Sequence, residues 1–185
     1  MFDDYSVLED IARNSYSSVV WSHKIQEKQS DIYANIFKVL EIANIVTASL
    51  TSAGVITLIF TDPLWMKVAS AITSFITVSI TALFNSFDLR KLTAAHKATA
   101  NQLIAIRDQY KILLAQIRLH NASFENLLVR YKELVDETDH IYLNAPSTTN
   151  WAVRRASKAL KIKKDNTFPD EEIDLFLPKS LRRNI

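Results

Sequence analysis

The chain has 185 residues, one glycine, four prolines and no cysteine, and its formal net charge is +2. This length allows one domain, or a membrane hairpin with one helical domain. The absence of cysteine excludes disulfides, thiolate metal sites and cysteine nucleophiles, and so small a net charge gives no reason to expect nucleic-acid binding. Because turn-forming residues are scarce, we expect long helices rather than an antiparallel sheet.

The first predicted element is a long helix, which we expect to form an N-terminal cytoplasmic domain over residues 1–41. One side of this helix is charged. The opposite side carries the apolar residues Trp21, Ile25, Ile32, Ile36 and Val39. The first ten residues are too acidic for a secretory signal. Near the end of the helix, Lys38 and Glu41 lie three residues apart and are expected to pair.

Two uncharged segments of twenty residues follow, over residues 42–61 and 68–87. Each would form a helix of about 30 Å, the thickness of the hydrocarbon core of a bilayer. Between them, Pro63 suits the first turn of a second helix, with Thr61 or Asp62 as its cap. The pattern predicts a transmembrane hairpin.

Two other interpretations of these segments stay open. The second segment contains eight hydroxyl or amide side chains, so both segments could be buried helices of a soluble bundle, or a hairpin that a soluble toxin inserts later. The basic residues favour the membrane, because lysine and arginine flank the two spans whereas only Lys67 lies between them. The same bias places both termini in the cytoplasm.

The spans carry polar side chains at helical spacing. The stripes consist of Asn44, Thr47, Thr51 and Gly54 in the first span and of Ser70, Thr73, Thr77, Thr81 and Asn85 in the second. They predict either pore lining or packing between helices, since small hydroxylated residues let transmembrane helices approach closely. Because two helices cannot enclose water, the pore interpretation requires a homo-oligomer.

A 3,4 repeat of apolar and aromatic residues runs through residues 89–134. It exceeds three or four heptads and predicts one straight, coiled-coil-like helix over residues 88–145, about 80 Å long. His96 and His120 interrupt the repeat as polar residues that fix its register, with a switch or a ligand contact as the alternative. The N-terminal helix can lie antiparallel to its first half, and self-association is expected to bury the repeat beyond Phe124.

The last predicted domain, residues 146–185, is a basic tail with two short helices, the first from Trp151 and the second with Pro169 at its first position. Candidate contacts for an anionic ligand or for lipid headgroups lie on the first helix: Arg154, Arg155, Lys158 and Lys161. A solvated basic face is the alternative. The acidic cluster of the second helix is explained by the helix dipole without a metal.

With these elements in order, nearly the whole chain resembles the SMODS- and SLOG-associating two-transmembrane effector family, abbreviated SLATT. The resemblance rests on the hairpin between flanking helices, on WSHKIQEK at residues 21–28 and on DEEIDLFLP at residues 170–178. It implies an antiphage effector in the bacterial inner membrane, encoded beside a cyclic-oligonucleotide synthase, a nucleotide sensor or a reverse transcriptase. The implied outcome is membrane permeabilisation and death or dormancy of the infected cell.

We therefore expect an all-α membrane protein, with a two-helix hairpin over residues 42–87 and long cytoplasmic helices packed as a coiled-coil-like bundle. As an effector it would oligomerise and form a pore, triggered by a cyclic nucleotide or by a nucleotide-signalling or reverse-transcriptase partner. The alternative is a membrane-anchored coiled-coil scaffold. Catalysis, cofactors, metals and direct nucleic-acid contacts are not expected, because no phosphate loop, ligand cluster or activated nucleophile occurs.

Overall fold

The computed structural model describes residues 4–60, 63–165 and 167–183, apart from the side chains of Asn85 and Ser180. Within these ranges the chain forms six α-helices and one 3-10 helix, with no β-strand. The elements are α1 (Asp4–Phe60), α2 (Leu64–Ser86), α3 (Leu89–Arg118), α4 (Phe124–Asn144), α5 (Asn150–Lys161), α6 (Asp170–Phe176) and the 3-10 helix Lys179–Leu181. The predicted all-α fold is confirmed.

Helix α1 is a single rod of 57 residues, about 85 Å long. Nothing in its sequence stops it, because no proline precedes Pro63 and its one glycine, Gly54, lies within an apolar run. The N-terminal helix and the first apolar span, predicted as segments that meet near Glu41, therefore belong to one helix. A tilt of one half of this helix is transmitted to the other half.

Helix α2 begins at Leu64, with Pro63 in the N-cap position rather than in the first turn as predicted. The extended ψ of 134° places Pro63 just outside the helix, and its carbonyl accepts from the Met66 amide at 3.1 Å. The predicted cap residues Thr61 and Asp62 lie outside the described residues.

The far end of α2 is separated from α3 by only Phe87 and Asp88. Asp88 caps α3, because its carboxylate accepts a hydrogen bond from the Lys91 amide at 2.9 Å. Both spans thus lead directly into the helices outside the hairpin. The first span does so without a break, whereas the second does so through a two-residue break.

The prediction of a single straight helix over residues 88–145 is wrong, because the structure has two helices there, α3 and α4. The break lies at residues 119–123, where His120 adopts a left-handed φ of 47° and Ser123 is the N-cap of α4. His120 is therefore a turn residue and not a seam residue. The repeat could not reveal this turn, because its apolar spacing continues in phase across it.

The core of the bundle is shared by α1, α3 and α4. Its buried residues are Leu8, Ala12, Val19, Leu103, Ile106, Tyr110, Leu113, Ile117, Leu127 and Leu134. Because the last two come from α4, the repeat beyond Phe124 is buried within one chain and does not need self-association. The buried side of α1 also differs from the predicted one, since Ile36 and Val39 are exposed.

Helix α5 packs across α1 through small side chains. Ala152, Ala156 and Ala159 are buried, and such residues allow a short distance between helix axes. The start of α5 is fixed by Gln29 of α1, whose Oε1 accepts hydrogen bonds at 2.8 Å from the amide and from the hydroxyl of Thr149. The basic tail is thus partly docked on the rod.

The apolar parts of α1 and α2 are exposed in the single chain. Each helix contains an 18-residue stretch that is apolar enough to cross a membrane. None of the stretch in the first helix is buried, and 6% of the stretch in the second is buried. A core helix of a soluble protein would bury such a stretch, whereas here Phe60 is 81% and Phe75 is 73% exposed. This exposure favours two lipid-facing spans over a buried soluble hairpin.

A polar layer lies between the apolar core and the spans. The Nδ1–H of His96 donates to Oε1 of Gln26 at 2.5 Å, and the Gln26 amide donates to the carbonyl of Pro146 at 3.2 Å. Burial lowers the pKa of His96 below 6.5. Burial likewise lowers the pKa of His23, and this effect outweighs the nearby Glu27 carboxylate. Both imidazoles are therefore neutral at pH 7.

Acidification is expected to destabilise the bundle. Because folding lowers the pKa of His23 and His96 below 6.5, the unfolded chain binds more protons as the pH falls through 6.5, and the free energy of unfolding falls with it. Thermal melts followed by circular dichroism in detergent between pH 7.5 and 5 measure this loss. His96→Gln should make the melting temperature less dependent on pH.

The matched control is His140→Gln, which removes an exposed histidine of α4. It should leave the pH dependence of the melting temperature as in the parent chain. Equal pH dependence in the His96 variant and the parent would contradict the role given to this buried imidazole.

Candidate functional site

The two spans contact each other through the predicted hydroxyl stripes. Thr77 donates to the hydroxyl of Thr47 at 2.9 Å, and Thr51 donates to the hydroxyl of Thr73 at 3.1 Å. The two accepting hydroxyls donate in turn to carbonyls of their own helices, Thr47 to Ala43 and Thr73 to Ala69. All four hydroxyls are therefore satisfied within the hairpin without water.

Close packing continues toward the loop. A Cβ on Gly54 would collide with the hydroxyl of Ser70, so the two helices lie close together where one of them has no side chain. Glycine leaves room here for the Ser70 side chain, and its φ is not in the left-handed region. Ser70, like the threonines, thus lies at the contact between the spans.

Two members of the predicted stripes, Thr81 and Asn44, lie apart from these contacts. Thr81 is exposed and donates to the Thr77 carbonyl of its own helix. The buried Oδ1 of Asn44 has no hydrogen-bond partner among the residues that the structure describes. The side chain of Asn85 lies outside the described residues.

Other hydroxyls of the hairpin face outward. Ser49 and Ser52 of α1 are exposed and donate to the Ile45 and Ala48 carbonyls one turn earlier. Such bonds shield a hydroxyl hydrogen from lipid. Together with Thr81, these are groups that water or a neighbouring protein would contact around the hairpin. Sequence reasoning did not single out the two serines, because they fall between the regular stripes.

At the base of the hairpin, Glu41 pairs with Arg90 and not with Lys38 as predicted. The ion pair measures 3.2 Å, and the Arg90 guanidinium also lies 4.5 Å from the centre of the Phe37 ring. Phe37 contacts Phe84 of α2 with 5.3 Å between ring centres. The first turn of α3 brings Arg90 to this position, so α1, α2 and α3 meet beside the break between the last two.

Residues 21–28 of α1 form a junction with the other helices of the bundle. Ser22 contacts α4 through a 3.1 Å hydrogen bond from Tyr142, and the Trp21 ring lies 5.6 Å below the Lys161 ammonium of α5. Sequence reasoning missed the contacts of this stretch. The available signal was the spacing of buried polar residues, which continue the apolar face of α1 beyond Val19: His23, Gln26 and Ser30.

Lys24, in this junction, is a buried charge with two carboxylate partners. It is 3% exposed, and its ammonium lies 2.9 Å from Glu27 and 3.5 Å from Asp165 in the segment after α5. Burial raises the pKa of the Glu27 carboxyl, but the hydrogen bonds and charges of Lys24 and Lys28 outweigh this effect and lower it. A buried lysine requires such partners, so Asp165 holds the tail against α1.

The four basic residues predicted as anion contacts divide between different surfaces. Arg155 and Lys158 line a cavity of about 390 Å³ between α1 and α5. Arg154 is exposed and is not among the described residues that line this cavity. Lys161 lies over Trp21 instead. The structure thus places Arg155 and Lys158 in one cavity, together with Lys28 and Lys163.

The contact between the spans can be tested with cysteine pairs, because the chain has no cysteine. Thr51→Cys with Thr73→Cys is expected to form a disulfide within one chain on mild oxidation, since the two hydroxyls are 3.1 Å apart. Electrophoresis with and without reductant, on membranes containing the variant, detects the closed loop as a mobility change at monomer mass.

Ser52→Cys with Ser74→Cys is the control, because both residues adjoin the tested pair in sequence and are exposed. This control pair should cross-link only between chains. Predominantly interchain disulfides from the Thr51 and Thr73 variant would contradict the packing described here.

Comparison with known proteins agrees with this architecture. The model of SMODS and SLOG-associating 2TM effector domain family 4 matches residues 8–172, which include the hairpin, the bundle and α5. No curated protein and no solved structure matches significantly. The match supports a membrane location through the two spans and confirms the resemblance. The chain belongs to SMODS and SLOG-associating 2TM effector domain family 4, a family of two-transmembrane effectors.

Proposed function

We propose that this chain is a membrane effector of bacterial antiphage defence that oligomerises and permeabilises the inner membrane, causing abortive infection. Family membership supports a membrane effector. The observation that carries the proposal is the unbroken helix α1, which connects the core of the bundle with the first span. An effector needs such a connection, because a signal received outside the membrane has to alter the hairpin inside it.

In this proposal both termini and the bundle are cytoplasmic. The basic residues close to the spans support this orientation, since Lys38, Arg90 and Lys91 lie on the bundle side and Lys67 lies at the start of α2, at the opposite end of the hairpin. The bundle is then accessible to the activating signal. That signal is a cyclic nucleotide, or a nucleotide-signalling or reverse-transcriptase partner protein.

The two spans would respond differently to a change in the bundle. Helix α1 transmits a tilt directly, whereas α2 is joined to α3 through Phe87 and Asp88. A displacement of the first span relative to the second would be resisted by the hydroxyl pairs between them and by the ion pair of Glu41 with Arg90. Because this ion pair is partly exposed, it contributes about 1 kcal/mol at most. A modest signal is enough to release it.

Permeabilisation in this proposal comes from assembly and involves no catalysis. Because four threonine hydroxyls bond within the hairpin, a water-filled pore would be lined by the outward hydroxyls of several copies. Ser49, Ser52 and Thr81 are the candidates on the exposed faces. The number of chains in the pore is then the number of hairpins needed to surround a water-filled channel with these faces.

A membrane-anchored scaffold is the second candidate function. The observation that favours it is the apolar character of the outward faces, on which Phe60, Phe75 and Val78 are exposed. Such faces suit an anchor in lipid, and the bundle would then recruit a partner without a pore. A pore would need the outward hydroxyls to line its water-filled pathway, whereas a scaffold would not need them.

Interrupting α1 at the membrane boundary should abolish effector activity. Val39→Pro removes a helix hydrogen bond and introduces a kink at an exposed position, at a cost of about 3 kcal/mol. Depolarisation, read with a potential-sensitive dye in bacteria in which the parent chain depolarises the membrane, should fall at least about tenfold, because the coupling between the bundle and the span is lost. The span itself remains long enough to insert.

Val39→Ala is the control, because it shortens the same side chain and keeps the helix. It should depolarise like the parent at an equal amount in the membrane. Normal depolarisation by the proline variant would remove the support that the continuous helix gives to the proposal.

Replacing outward hydroxyls separates a pore from a scaffold. Ser52→Leu with Thr81→Leu should reduce the depolarisation several-fold if these faces line water, since leucine raises the cost of hydrating the pathway. A scaffold should keep its activity with both replacements. Unchanged depolarisation and unchanged growth arrest, at equal expression, would contradict this lining.

A further inference from the structure

The cavity between α1 and α5 has the size and the walls of a ligand site. Its volume of about 390 Å³ falls within the usual range for small-molecule pockets, roughly 300–1,000 Å³. Charged side chains line both sides. They are Lys28 and Asp31 from α1, Arg155 and Lys158 from α5, and Lys163 and Asp165 from the segment that follows α5.

The two carboxylates of the cavity each pair with a lysine of α1. Asp31 lies 3.1 Å from Lys28, and Asp165 lies 3.5 Å from the buried Lys24. Burial lowers the pKa of Lys28, but the hydrogen bonds and charges of Asp31 and Glu27 outweigh this and raise it. Lys28 is therefore charged, and its charge is balanced by the acids next to it.

Three cationic groups of the cavity have no carboxylate partner in the part of the chain that the structure describes. Among the described residues, neither Lys158 nor Lys163 forms an ion pair or a side-chain hydrogen bond, although both line the cavity. Arg155 has its guanidinium carbon 4.3 Å from the centre of the Trp151 ring. A contact with a ring face leaves the N–H groups of a guanidinium available, and these groups can bind phosphate with two hydrogen bonds.

We propose that this cavity binds a ligand that carries phosphate groups, with Arg155, Lys158 and Lys163 as the phosphate-binding side chains. Asn35, on the α1 wall, is seven residues before the first apolar span, a distance of about 10 Å along the helix. The phosphate can therefore come from a soluble nucleotide or from a lipid headgroup. Both sources present the same chemistry to the three cations.

Such a ligand would bind α5 and the segment after it at a cavity whose other wall is the rod that enters the membrane. Helix α5 is otherwise fixed to α1 by Gln29 and by the ion pair of Lys24 with Asp165. A phosphate between the two helices adds contacts at the edge of this docking surface, close to the base of the hairpin. This regulatory consequence rests on the proposed function, whereas the binding site itself does not.

The test is a binding measurement on the full chain in phosphatidylcholine nanodiscs, by isothermal titration calorimetry with tripolyphosphate. A second titration uses the water-soluble lipid dihexanoylphosphatidylglycerol. In Lys158→Gln with Lys163→Gln, the affinity of whichever probe binds should fall at least about tenfold, because two charge-assisted contacts are lost. Both lysines are exposed at the rim of the cavity, so the fold is retained.

The control is Arg154→Gln with Lys132→Gln, which makes the same change of charge. Both residues are exposed and lie outside the described lining of the cavity, so this pair should bind each probe about as tightly as the parent. Tripolyphosphate binding identifies a soluble ligand, and binding of the lipid probe alone identifies a headgroup. Failure of both probes to bind, or an equal loss in the control pair, overturns the proposal.

Binding and effector activity can fail separately. A parent chain that binds tripolyphosphate but never depolarises bacteria keeps the site and contradicts the proposed function. Depolarisation by a chain that binds neither probe contradicts the site alone.

Discussion

The continuous backbone hydrogen-bond ladder of α1 is the constraint on which the rest of the structure depends. Each interior amide is satisfied within the helix, so the chain can pass from water into lipid without exposing an unpaired backbone group. The same 57 residues carry one face of the core, the docking surface for α5 and one side of the hairpin. These parts therefore belong to one continuous helix, with no loop between the bundle and the span.

The character of the contacts changes along this helix. Far from the hairpin the core is apolar, with Leu113 and Leu127 each almost fully buried. Nearer to it the buried residues are polar, and Gln26 connects α3 with the linker before α5. Polar contacts of this kind rigidify the core and specify one arrangement, and they depend on every member finding a partner. The part of the bundle beside the cavity is therefore held by directional hydrogen bonds and not by apolar packing alone.

The repeat in residues 89–134 shows where reading the sequence reached its limit. Periodicity states which side chains share a helix face, and that part of the prediction matches the buried positions of α3 and α4. It does not state whether the chain turns back, since a turn that keeps the phase leaves the pattern unchanged. Similarly, Lys38 and Arg90 were both within reach of Glu41, and only the start of α3 at Leu89 places the arginine next to it.

The sequence by itself determined the helical class, the two spans and the family resemblance, because these follow from local composition and from the length of uncharged segments. Tertiary structure alone decided that the threonine stripes face each other. It also separated Arg155 and Lys158, which line the cavity, from Arg154 and Lys161. The physical reason is that spacing fixes the direction of a side chain relative to its own helix axis. What that side chain meets depends on how the helices cross.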